Sequence, residues 1–439
     1  MQKNILTRNL SYKKILTKIN NKSLKVAVVG LGYVGLPLAK LFAFNGFEVL
    51  GFDNDKKKIS NIKNGISYIN YISNKELKKL SKHNFTVYED FKKITTVDII
   101  ILCLPTPVNK NYNPDISIII SVINKLKKYL INFQTIILES TTFPGTTENI
   151  LKNKLISKFD VGSNFYLAYS PEREDPANLN FNLQKIPKII SGVSNQSKII
   201  CKKLYEKVGI KCVEVKSPAV AETAKLLENT YRSVNIALVN QLKFFCEKIN
   251  INVFDVINAA KSKPFGFQAF YPGPGYGGHC IPVDPHYLHW IAKKVGVDMS
   301  FISLASKINE SMPSIIVKKV LQFFKKKKEQ LKKILIIGVA YKKNINDTRN
   351  SPALKIISLF FRNNTHVDFY DPYVKYINVN NKKMHTISLI KEQIILYDAV
   401  LIVTDHDKIN YKFLVKNSKY IFDARGKLLK ENNKNIFYL

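Results

Sequence analysis

The sequence is poor in acidic residues, cysteine and tryptophan. Among its 439 residues, 33 are Asp or Glu against 68 Lys or Arg, and only one is Trp. No CxxC pair occurs, and the five cysteines are odd in number and widely spaced. We therefore expect no disulfide framework and a cytoplasmic protein whose thiols stay reduced. The cysteines are Cys103, Cys201, Cys212, Cys246 and Cys280.

Long apolar runs are also missing. No stretch approaches the roughly 18 apolar residues that a membrane-spanning helix needs. Residues 1–25 contain no Asp or Glu, and they lack the continuous apolar core of a signal peptide. We therefore predict no membrane span and no secretion, and we interpret residues 1–23 as a frayed, basic N-terminal extension.

The formal net charge of +35 raises the alternative of a polyanionic partner such as nucleic acid. The lysines, however, are spread along the whole chain beside abundant Asn and Ile, a pattern typical of A+T-biased coding. Because a positive field also attracts a diphosphate substrate, we expect no nucleic-acid partner. A basic Rossmann-type nucleic-acid or regulatory binding protein remains the alternative from a different class.

The order of apolar segments predicts an α/β protein. Short β-branched strands alternate with helices from Lys25 to about Ser191, which is typical of a doubly wound parallel sheet. A long helix is predicted from Ala219 to about Ile249, and strands resume at Lys333. We predict a Rossmann domain at 24–216, a helical central domain at 217–325 and a second Rossmann-like domain at 326–439.

A glycine-rich loop, GLGYVG from Gly30 to Gly35, directly follows the strand KVAVV. In such a loop the first glycine permits a tight turn, the second lets a pyrophosphate approach, and the third allows close packing of helix on strand. Asp53 ends the next strand, where an acid binds the ribose of NAD and repels the 2′-phosphate of NADP. This context predicts NAD as cofactor.

A second loop, FYPGPGYGGHCIPVD, spans Phe270–Asp284. Pro285 follows Asp284, which predicts a helix start with Asp284 as its N-cap. A cysteine just before a helix N-terminus has a stabilised thiolate, so Cys280 is a candidate nucleophile rather than an inert buried thiol. His279 is a candidate general base, although its position next to Cys280 equally favours a scaffold or binding role.

Further candidates are polar residues near the predicted strands and on the long helix. Lys225 and Asn229 lie four residues apart and share one helical face, although a lysine within a helix is normally solvated. Thr141 and Glu172 follow predicted strands, at the edge where parallel strands form a ligand crevice. Each of these two alone fits loop structure as well as function.

Together these motifs resemble the UDP-glucose/GDP-mannose dehydrogenase family over residues 24–430. The matching segments, in order, are GLGYVG, CLPTP, EST, SPER, AETAKLLENTYR, GPGYGGHCIPVDP, AYKKNINDTRNSP and DAR. The Cys280 loop most resembles the branch that oxidises UDP-N-acetylhexosamines for capsule and O-antigen. The resemblance implies two Rossmann-like domains around a central helix that also forms a dimer, or a higher homo-oligomer.

The resemblance also implies residue roles. Those implied to be catalytic are Cys280, Lys225, Asn229, Asp284, Glu172 and Thr141. Those implied to bind the cofactor are Gly30, Gly32, Tyr33, Val34, Gly35, Asp53, Lys58, Thr106 and Arg349. Those implied to contact the nucleotide sugar are Glu172, Arg173, Lys225, Asn229, Tyr276, Gly277, Lys342 and Arg425. No metal is implied.

The implied reaction is a four-electron oxidation of the C6 alcohol of UDP-GlcNAc or UDP-GalNAc to the uronate, using two NAD. Cys280 would form a thiohemiacetal and then a thioester, which water activated by Glu172 or Asp284 would hydrolyse. Lys225 and Asn229 would stabilise the oxyanion. A UDP-glucose 6-dehydrogenase and a two-electron oxidoreductase with an incidental Cys280 are the alternatives within the enzyme class.

Overall fold

The computed structural model describes residues 2–69, 71–174, 183–431 and 433–439. The chain divides into two compact units, Met1–Leu227 and Glu228–Leu439. Each unit is built on its own β-sheet, and the helix that follows the first sheet begins in one unit and ends in the other. The α/β class with a Rossmann-like parallel sheet, a helical middle region and a second α/β part is confirmed.

The first unit contains an eight-stranded sheet of order β3-β2-β1-β4-β5-β6-β7-β8. Its neighbours are parallel except for the pair β6 and β7, which is antiparallel. The first six strands have the order of a dinucleotide-binding fold, whose ligand crevice lies at the carboxyl ends of β1 and β4. The strands are β1 Lys25–Val29, β2 Glu48–Phe52, β3 Phe85–Tyr88, β4 Ile99–Leu102, β5 Thr135–Leu138, β6 Tyr166–Tyr169, β7 Lys188–Gly192 and β8 Cys212–Glu214.

Apolar cores cover both faces of this sheet. Val26 and Val28 of β1 belong to one core, whereas Ala27 and Val29 belong to the other. A strand buried on both faces needs a continuous apolar run instead of an alternating one, which explains the sequence VAVV. The helices that accompany the sheet are α1 Gln2–Asn20, α2 Gly35–Phe44, α3 Lys56–Lys63, α4 Asn74–Leu80, α5 Ser117–Leu126, α6 Lys152–Leu155 and α7 Asn195–Lys207.

The N-terminal extension forms the helix α1, so the expectation of a frayed segment is wrong. Ile15 and Ile19 are buried in the core of the first unit. The Tyr12 ring lies 6.2 Å from that of Tyr166. Lys18 pairs with Asp98 at 2.5 Å. The apolar residues lie three and four positions apart, so one face of the helix packs on the core while Lys13 and Lys14 are exposed.

The segment after β5 contains a π-helical turn, Thr146–Leu151, which continues into α6. π-helical turns are rare and commonly lie near functional sites. Glu222 accepts hydrogen bonds at its beginning from the backbone nitrogens of Gly145 and Thr147, at 2.8 and 3.0 Å. These bonds satisfy N–H groups that a helix start otherwise leaves without partners.

The long predicted helix is present as α8 Pro218–Lys248. Later in the predicted central domain, two further helices are separated at Gly296, where the chain turns with a positive φ. The helices of the second unit that precede its sheet are α9 Val253–Lys261, α10 Asp284–Lys294 and α11 Ser300–Lys326.

The second unit contains a five-stranded parallel sheet of order β10-β9-β13-β14-β15 and a small hairpin. Its strands are β9 Lys333–Ile337, β10 His366–Tyr370, β11 Tyr376–Val379, β12 Lys382–His385, β13 Ala399–Ile402, β14 Ile421–Asp423 and β15 Ile436–Tyr438. Its remaining helices are α12 Pro352–Arg362, α13 Lys391–Ile394 and α14 Tyr411–Asn417. None of the helices in the described ranges is both long and apolar enough to cross a membrane.

Candidate active site

The glycine loop after β1 is shaped to receive a dinucleotide. A Cβ on Gly30, which has φ +92°, would lie 2.3 Å from the Cys103 carbonyl oxygen, and one on Gly35 would lie 1.8 Å from the Gly30 oxygen. Both glycines are therefore required by backbone packing. A Cβ on Gly32 would meet nothing within 4 Å. This open side fits the approach of a pyrophosphate, so the residues present suit NAD.

Asp53 holds the loop to the end of β2. Its Oδ2 accepts hydrogen bonds from the Leu31 backbone nitrogen at 2.8 Å and from Lys58 Nζ at 3.1 Å. Its Oδ1 accepts from the Asp55 nitrogen at 2.9 Å. Asp53 is thus fixed where the ribose-binding acid was predicted, with the predicted Lys58 against it.

Tyr33 and Val34 continue the same loop. The Tyr33 carbonyl accepts a hydrogen bond from the Tyr71 hydroxyl at 2.8 Å, and the two rings lie 6.5 Å apart. Val34 directly precedes α2, with no side-chain cap at this helix start. No side-chain cap therefore competes for the N–H groups at the start of α2. An anion site at a helix N-terminus requires such N–H groups.

Three polar candidates follow neighbouring parallel strands of the first unit. Thr106 is buried in the loop after β4, Thr141 is half-buried after β5, and Glu172 follows β6. Because the carboxyl ends of parallel strands meet at one edge of a sheet, the fold brings all three to the edge where the glycine loop lies. Arg173, the next residue, donates from Nη1 to the Pro187 carbonyl at 2.8 Å.

Glu172 is a fixed carboxylate. Its Oε1 accepts hydrogen bonds from the backbone nitrogens of Arg173 and Glu174 at 2.7 and 2.6 Å. Burial acts to raise the pKa of Glu172, but the charges of Lys188 and Lys225, with these backbone bonds, outweigh it and leave the pKa lowered. Lys225 is only 7% exposed, so it is not the solvated lysine that its place within a helix would suggest.

The Cys280 loop packs on other segments of the second unit. The Gly278 nitrogen donates to the Arg349 carbonyl at 2.9 Å, and Asn350 Nδ2 donates to the Gly278 carbonyl at 3.0 Å. A Cβ on Gly277 would lie 2.7 Å from Tyr341 Cβ, so the loop packs closely on the segment after β9. Cys280 itself is exposed, as an attacking thiol must be.

Asp284 does not cap α10, so the predicted N-cap role is wrong. Val283 occupies the N-cap position, and its side chain makes no capping hydrogen bond. The Cys280 carbonyl instead accepts from the backbone nitrogens of Val283 and Asp284, at 3.0 and 2.8 Å. The buried Asp284 carboxylate points elsewhere, because its Oδ2 accepts a hydrogen bond from Asn229 Nδ2 at 2.5 Å.

His279 next to the cysteine is half-buried, and burial together with the Arg349 charge lowers its pKa. Its imidazole is therefore neutral at pH 7. Arg349 is oriented by Asp347, whose two carboxylate oxygens accept from Arg349 Nε at 3.0 Å each.

The remaining predicted substrate contacts lie in loops of the second unit. Lys342 is half-buried in the segment after β9, and Tyr276 is half-buried in the Cys280 loop. Arg425 follows β14, its Nε lies 3.5 Å from Asp405 Oδ1, and a Cβ on Gly273 would meet its Nη1 at 2.8 Å. Arg425 therefore packs against the glycine-rich loop that carries Cys280.

Sequence reasoning missed two charged residues beside Glu172. Lys188 Nζ lies 3.0 Å from Glu139 Oε1 and 3.3 Å from Glu172 Oε2. Glu139 directly follows β5, within the EST motif, and Lys188 begins β7. The sequence gives one signal for this pair: both charged residues lie next to apolar strands. A charge in such a position is buried and therefore requires a partner of opposite charge.

Comparisons with known proteins identify the family of the chain. Residues 24–209 match the NAD binding domain of the UDP-glucose/GDP-mannose dehydrogenase family, residues 219–311 its central domain, and residues 335–430 its UDP binding domain. The chain belongs to this family. The predicted NAD-dependent dehydrogenase of nucleotide sugars is confirmed, and the UDP binding domain supports a UDP-sugar as substrate.

Individual relatives are similar over most of their length. A UDP-N-acetyl-D-mannosamine dehydrogenase of Methanococcus aeolicus is 34% identical over 389 residues, which cover 88% of this chain and 85% of the relative. A UDP-N-acetyl-D-glucosamine 6-dehydrogenase of Salmonella typhi is 33% identical over 390 residues, 88% of this chain and 90% of the relative. The solved UDP-D-ManNAc dehydrogenase of Pyrococcus horikoshii superposes with a TM-score of 0.84 at 32% identity, covering 94% of this chain and 98% of that one.

Proposed function

We propose that this dehydrogenase oxidises the C6 alcohol of a UDP-N-acetylhexosamine to the carboxylate, for surface polysaccharide synthesis. The observation that carries the proposal is the Cys280 loop, in which an exposed thiol precedes by four residues the buried Asp284, which accepts a hydrogen bond from Asn229. The names of the relatives at 34 and 33% identity support the N-acetylhexosamine. Because the mechanism needs a reduced thiol, we place the reaction in the cytoplasm.

We propose the same division of labour for the predicted domains. Residues 24–216 would hold NAD, residues 217–325 would provide the cysteine loop, and residues 326–439 would hold the UDP moiety. The glycine loop with Asp53 supports the first assignment. Lys342 and Arg425, in the loops after β9 and β14, support the third, since cations suit a diphosphate and its uridine.

The chemistry proceeds in two oxidations. When bound, NAD accepts one hydride in each. Asp284, or a water held by Lys225, takes the alcohol proton in the first oxidation, which leaves an aldehyde. The Cys280 thiolate then bonds to the aldehyde carbon while the C=O bond opens to an oxyanion, which gives the thiohemiacetal. In the second oxidation this C=O bond re-forms as the remaining C–H bond breaks and its hydride leaves, so that a thioester remains. Lys225 and Asn229 donate to the developing oxyanion.

Hydrolysis completes the reaction. The oxygen of a water molecule bonds to the thioester carbon, the C–S bond breaks, and Cys280 leaves as a thiolate. Glu172 takes the proton from the water. The lowered pKa of Glu172, with burial opposed by Lys188 and Lys225, supports this role because it keeps the carboxylate able to accept a proton at neutral pH.

The substrate epimer is the finer question. UDP-GlcNAc and UDP-GalNAc are the sugars that the Cys280 loop predicts, and the names of the relatives add UDP-N-acetyl-D-mannosamine as a third. The test is NADH formation from these three sugars and from UDP-glucose. We expect turnover with one of the three N-acetyl sugars, and preferred turnover of UDP-glucose would contradict the proposal.

The competing functions give different results in the same assay. A two-electron oxidoreductase with an incidental Cys280 would form one NADH per sugar instead of two. A basic nucleic-acid or regulatory binding protein that senses NAD would form none and would shift DNA in a salt-sensitive manner. We also propose a homodimer, supported by exposed apolar residues on one face of α8.

A further inference from the structure

Lys188 is a buried lysine between two carboxylates. Its side chain is 4% exposed, against 0% for Glu139 and 13% for Glu172. Its Nζ lies 3.0 Å from Glu139 Oε1 and 3.3 Å from Glu172 Oε2. A buried charge without such partners would be strongly unfavourable. The two carboxylates therefore account for the presence of this ammonium group within the first unit.

The sheet explains why these residues meet. The strands β6 and β7 are antiparallel, with Tyr169 opposite Ser191. Continuing this register past the end of β6 brings the backbone at Glu172 opposite the first residue of β7, Lys188. Glu139 follows β5, the parallel neighbour of β6. The antiparallel pairing of β6 with β7 thus brings a lysine to the edge where β5 and β6 present their carboxyl ends.

Lys188 remains charged in this environment. Burial acts to lower the pKa of Lys188, but Glu139 and Glu172 outweigh it and leave the pKa raised. The ammonium also lies 4.9 Å from the centre of the Tyr205 ring, at a distance that favours a cation–π interaction. Lys188 is therefore a permanent positive charge next to Glu172.

Glu139 is the second partner of that charge. The Tyr205 hydroxyl donates a hydrogen bond to Glu139 Oε1. Within the described part of the chain, Glu139 Oε2 has no hydrogen-bond partner. Burial, opposed by Lys188, raises the pKa of Glu139 to about 7. Glu139 therefore changes charge near neutral pH, and it competes with Glu172 for the lysine only when it is ionised.

We propose that Lys188 is a positioning residue that holds the Glu172 carboxylate for the hydrolytic step, and that Glu139 and Tyr205 hold Lys188. The proposal rests on the proposed function, in which Glu172 accepts a proton from the attacking water. Glu172 Oε1 is occupied by two backbone N–H groups. Lys188 binds the other oxygen, so both oxygens are oriented and the group stays ionised.

The first experiment compares Lys188→Met with wild type by rapid mixing with NAD and the accepted UDP-sugar. Both hydrides leave before hydrolysis, so we expect a preserved rapid burst of NADH followed by a steady state slowed by about tenfold or more. In Lys188→Met, Glu172 loses a nearby positive charge, so its pKa should rise. The acid limb of the pH profile, where the hydrolysis rate falls because Glu172 becomes protonated, should therefore move up by about one pH unit or more. Lys188→Arg, which keeps the charge, should restore both features.

The neutral variant Glu139→Gln provides a second, opposite test. Without the competing carboxylate, Lys188 serves Glu172 alone, so the acid limb should stay or move to lower pH, whereas in Lys188→Met it moves to higher pH. If Lys188→Met slows the burst and the steady state equally and leaves the acid limb unmoved, Lys188 is merely structural and the proposal is overturned. The proposal is also overturned if Glu139→Gln moves the acid limb to higher pH.

A readout without turnover separates this proposal from the proposed function. Glutamate labelled with ¹³C at the carboxyl carbon allows the pKa of Glu172 to be titrated by NMR, with Glu172→Gln to assign its signal. We expect a higher pKa in Lys188→Met than in wild type. An unchanged pKa overturns the positioning role, whereas absence of NADH from every UDP-sugar overturns the proposed function and leaves this titration decisive for Lys188.

Discussion

Asn229 on α8 donates a hydrogen bond from Nδ2 to Asp284 Oδ2 at 2.5 Å, joining residues 55 positions apart in the sequence. Asp284 is 2% exposed, and a buried carboxylate depends on such a donor for its stability. Asp284, the first residue of α10, lies four residues after Cys280. Its carboxylate is therefore fixed by a residue of a different helix, α8. This bond gives the proposed active site its most direct link between two predicted catalytic residues.

Replacing Asn229 should impair turnover more than folding. In Asn229→Ala the Asp284 carboxylate loses its donor and the oxyanion loses a proposed one, so we expect kcat to fall by roughly 10²–10³-fold. Asn229→Asp should be worse, because it places two carboxylates together. Steady-state kinetics measure the loss. The control is Asn235→Ala, which removes an α8 amide that donates to the Tyr231 carbonyl of its own helix. Equal effects of the two alanine variants would contradict the prediction.

Asp53 should control affinity for the cofactor. In Asp53→Ala the glycine loop loses the bond from Leu31 N, and the ribose loses its acceptor, so we expect Kd for NAD to rise by about tenfold or more. Calorimetric titration with NAD measures the change. Asp55→Ala is the matched control, because Asp55 caps α3 through the nitrogens of Lys57 and Lys58. A comparable loss of NAD affinity in the control would argue against a specific role of Asp53.

Glu222 should make stability depend on pH. Burial, opposed by hydrogen bonds from the Thr147 and Gly145 region, raises the pKa of Glu222 from 4.5 to about 7. Because the folded state binds the Glu222 proton more tightly than the unfolded state does, this group stabilises the fold fully below pH 4.5, the pKa of an ordinary glutamate. The stabilisation is lost as the pH rises to about 7, the pKa in the folded state. The unfolding free energy of wild type minus Glu222→Gln should therefore fall across this window, by at most roughly 3 kcal/mol. Urea titrations at several pH values measure it, and a constant or growing difference would refute the assignment.

The exposed stripe on α8 should form the dimer. Tyr231, Leu238 and Phe245 are between 48% and 59% exposed, and their spacing of seven residues places them on one helical face. Leu238→Glu should yield monomers in light scattering, because burying its charge is unfavourable. Lys318→Glu, on the exposed side of α11, should leave the oligomer intact. A monomeric wild type would contradict the proposed dimer.

Much of the fold followed from local patterns. The strand and glycine loop before Gly35, the acid at Asp53 and the helix α8 were predictable because each depends on a short stretch of sequence. The helix α1 was predictable in principle as well. Tyr12, Ile15, Leu16 and Ile19 have helical spacing, but the surrounding lysines masked the apolar face.

The errors and omissions involve partners distant in sequence. An acid before Pro285 fits the N-cap and the first helical position equally well, and Asn229 decides between them. Glu139, Lys188 and Glu172 meet only because β7 runs antiparallel to β6, and nothing in the local sequence specifies that direction. Strand pairing is therefore the information that sequence reasoning lacked at the site.

The central claim is that Cys280 carries a four-electron oxidation, and the stoichiometry of the reaction tests it most directly. With the accepted UDP-N-acetylhexosamine, wild type should form two NADH per uronate. Cys280→Ser should lose nearly all carboxylate production while NAD binding, measured by calorimetry, persists, because serine is a poorer nucleophile and a poorer leaving group. One NADH per sugar in wild type, or wild-type turnover in Cys280→Ser, would contradict the account.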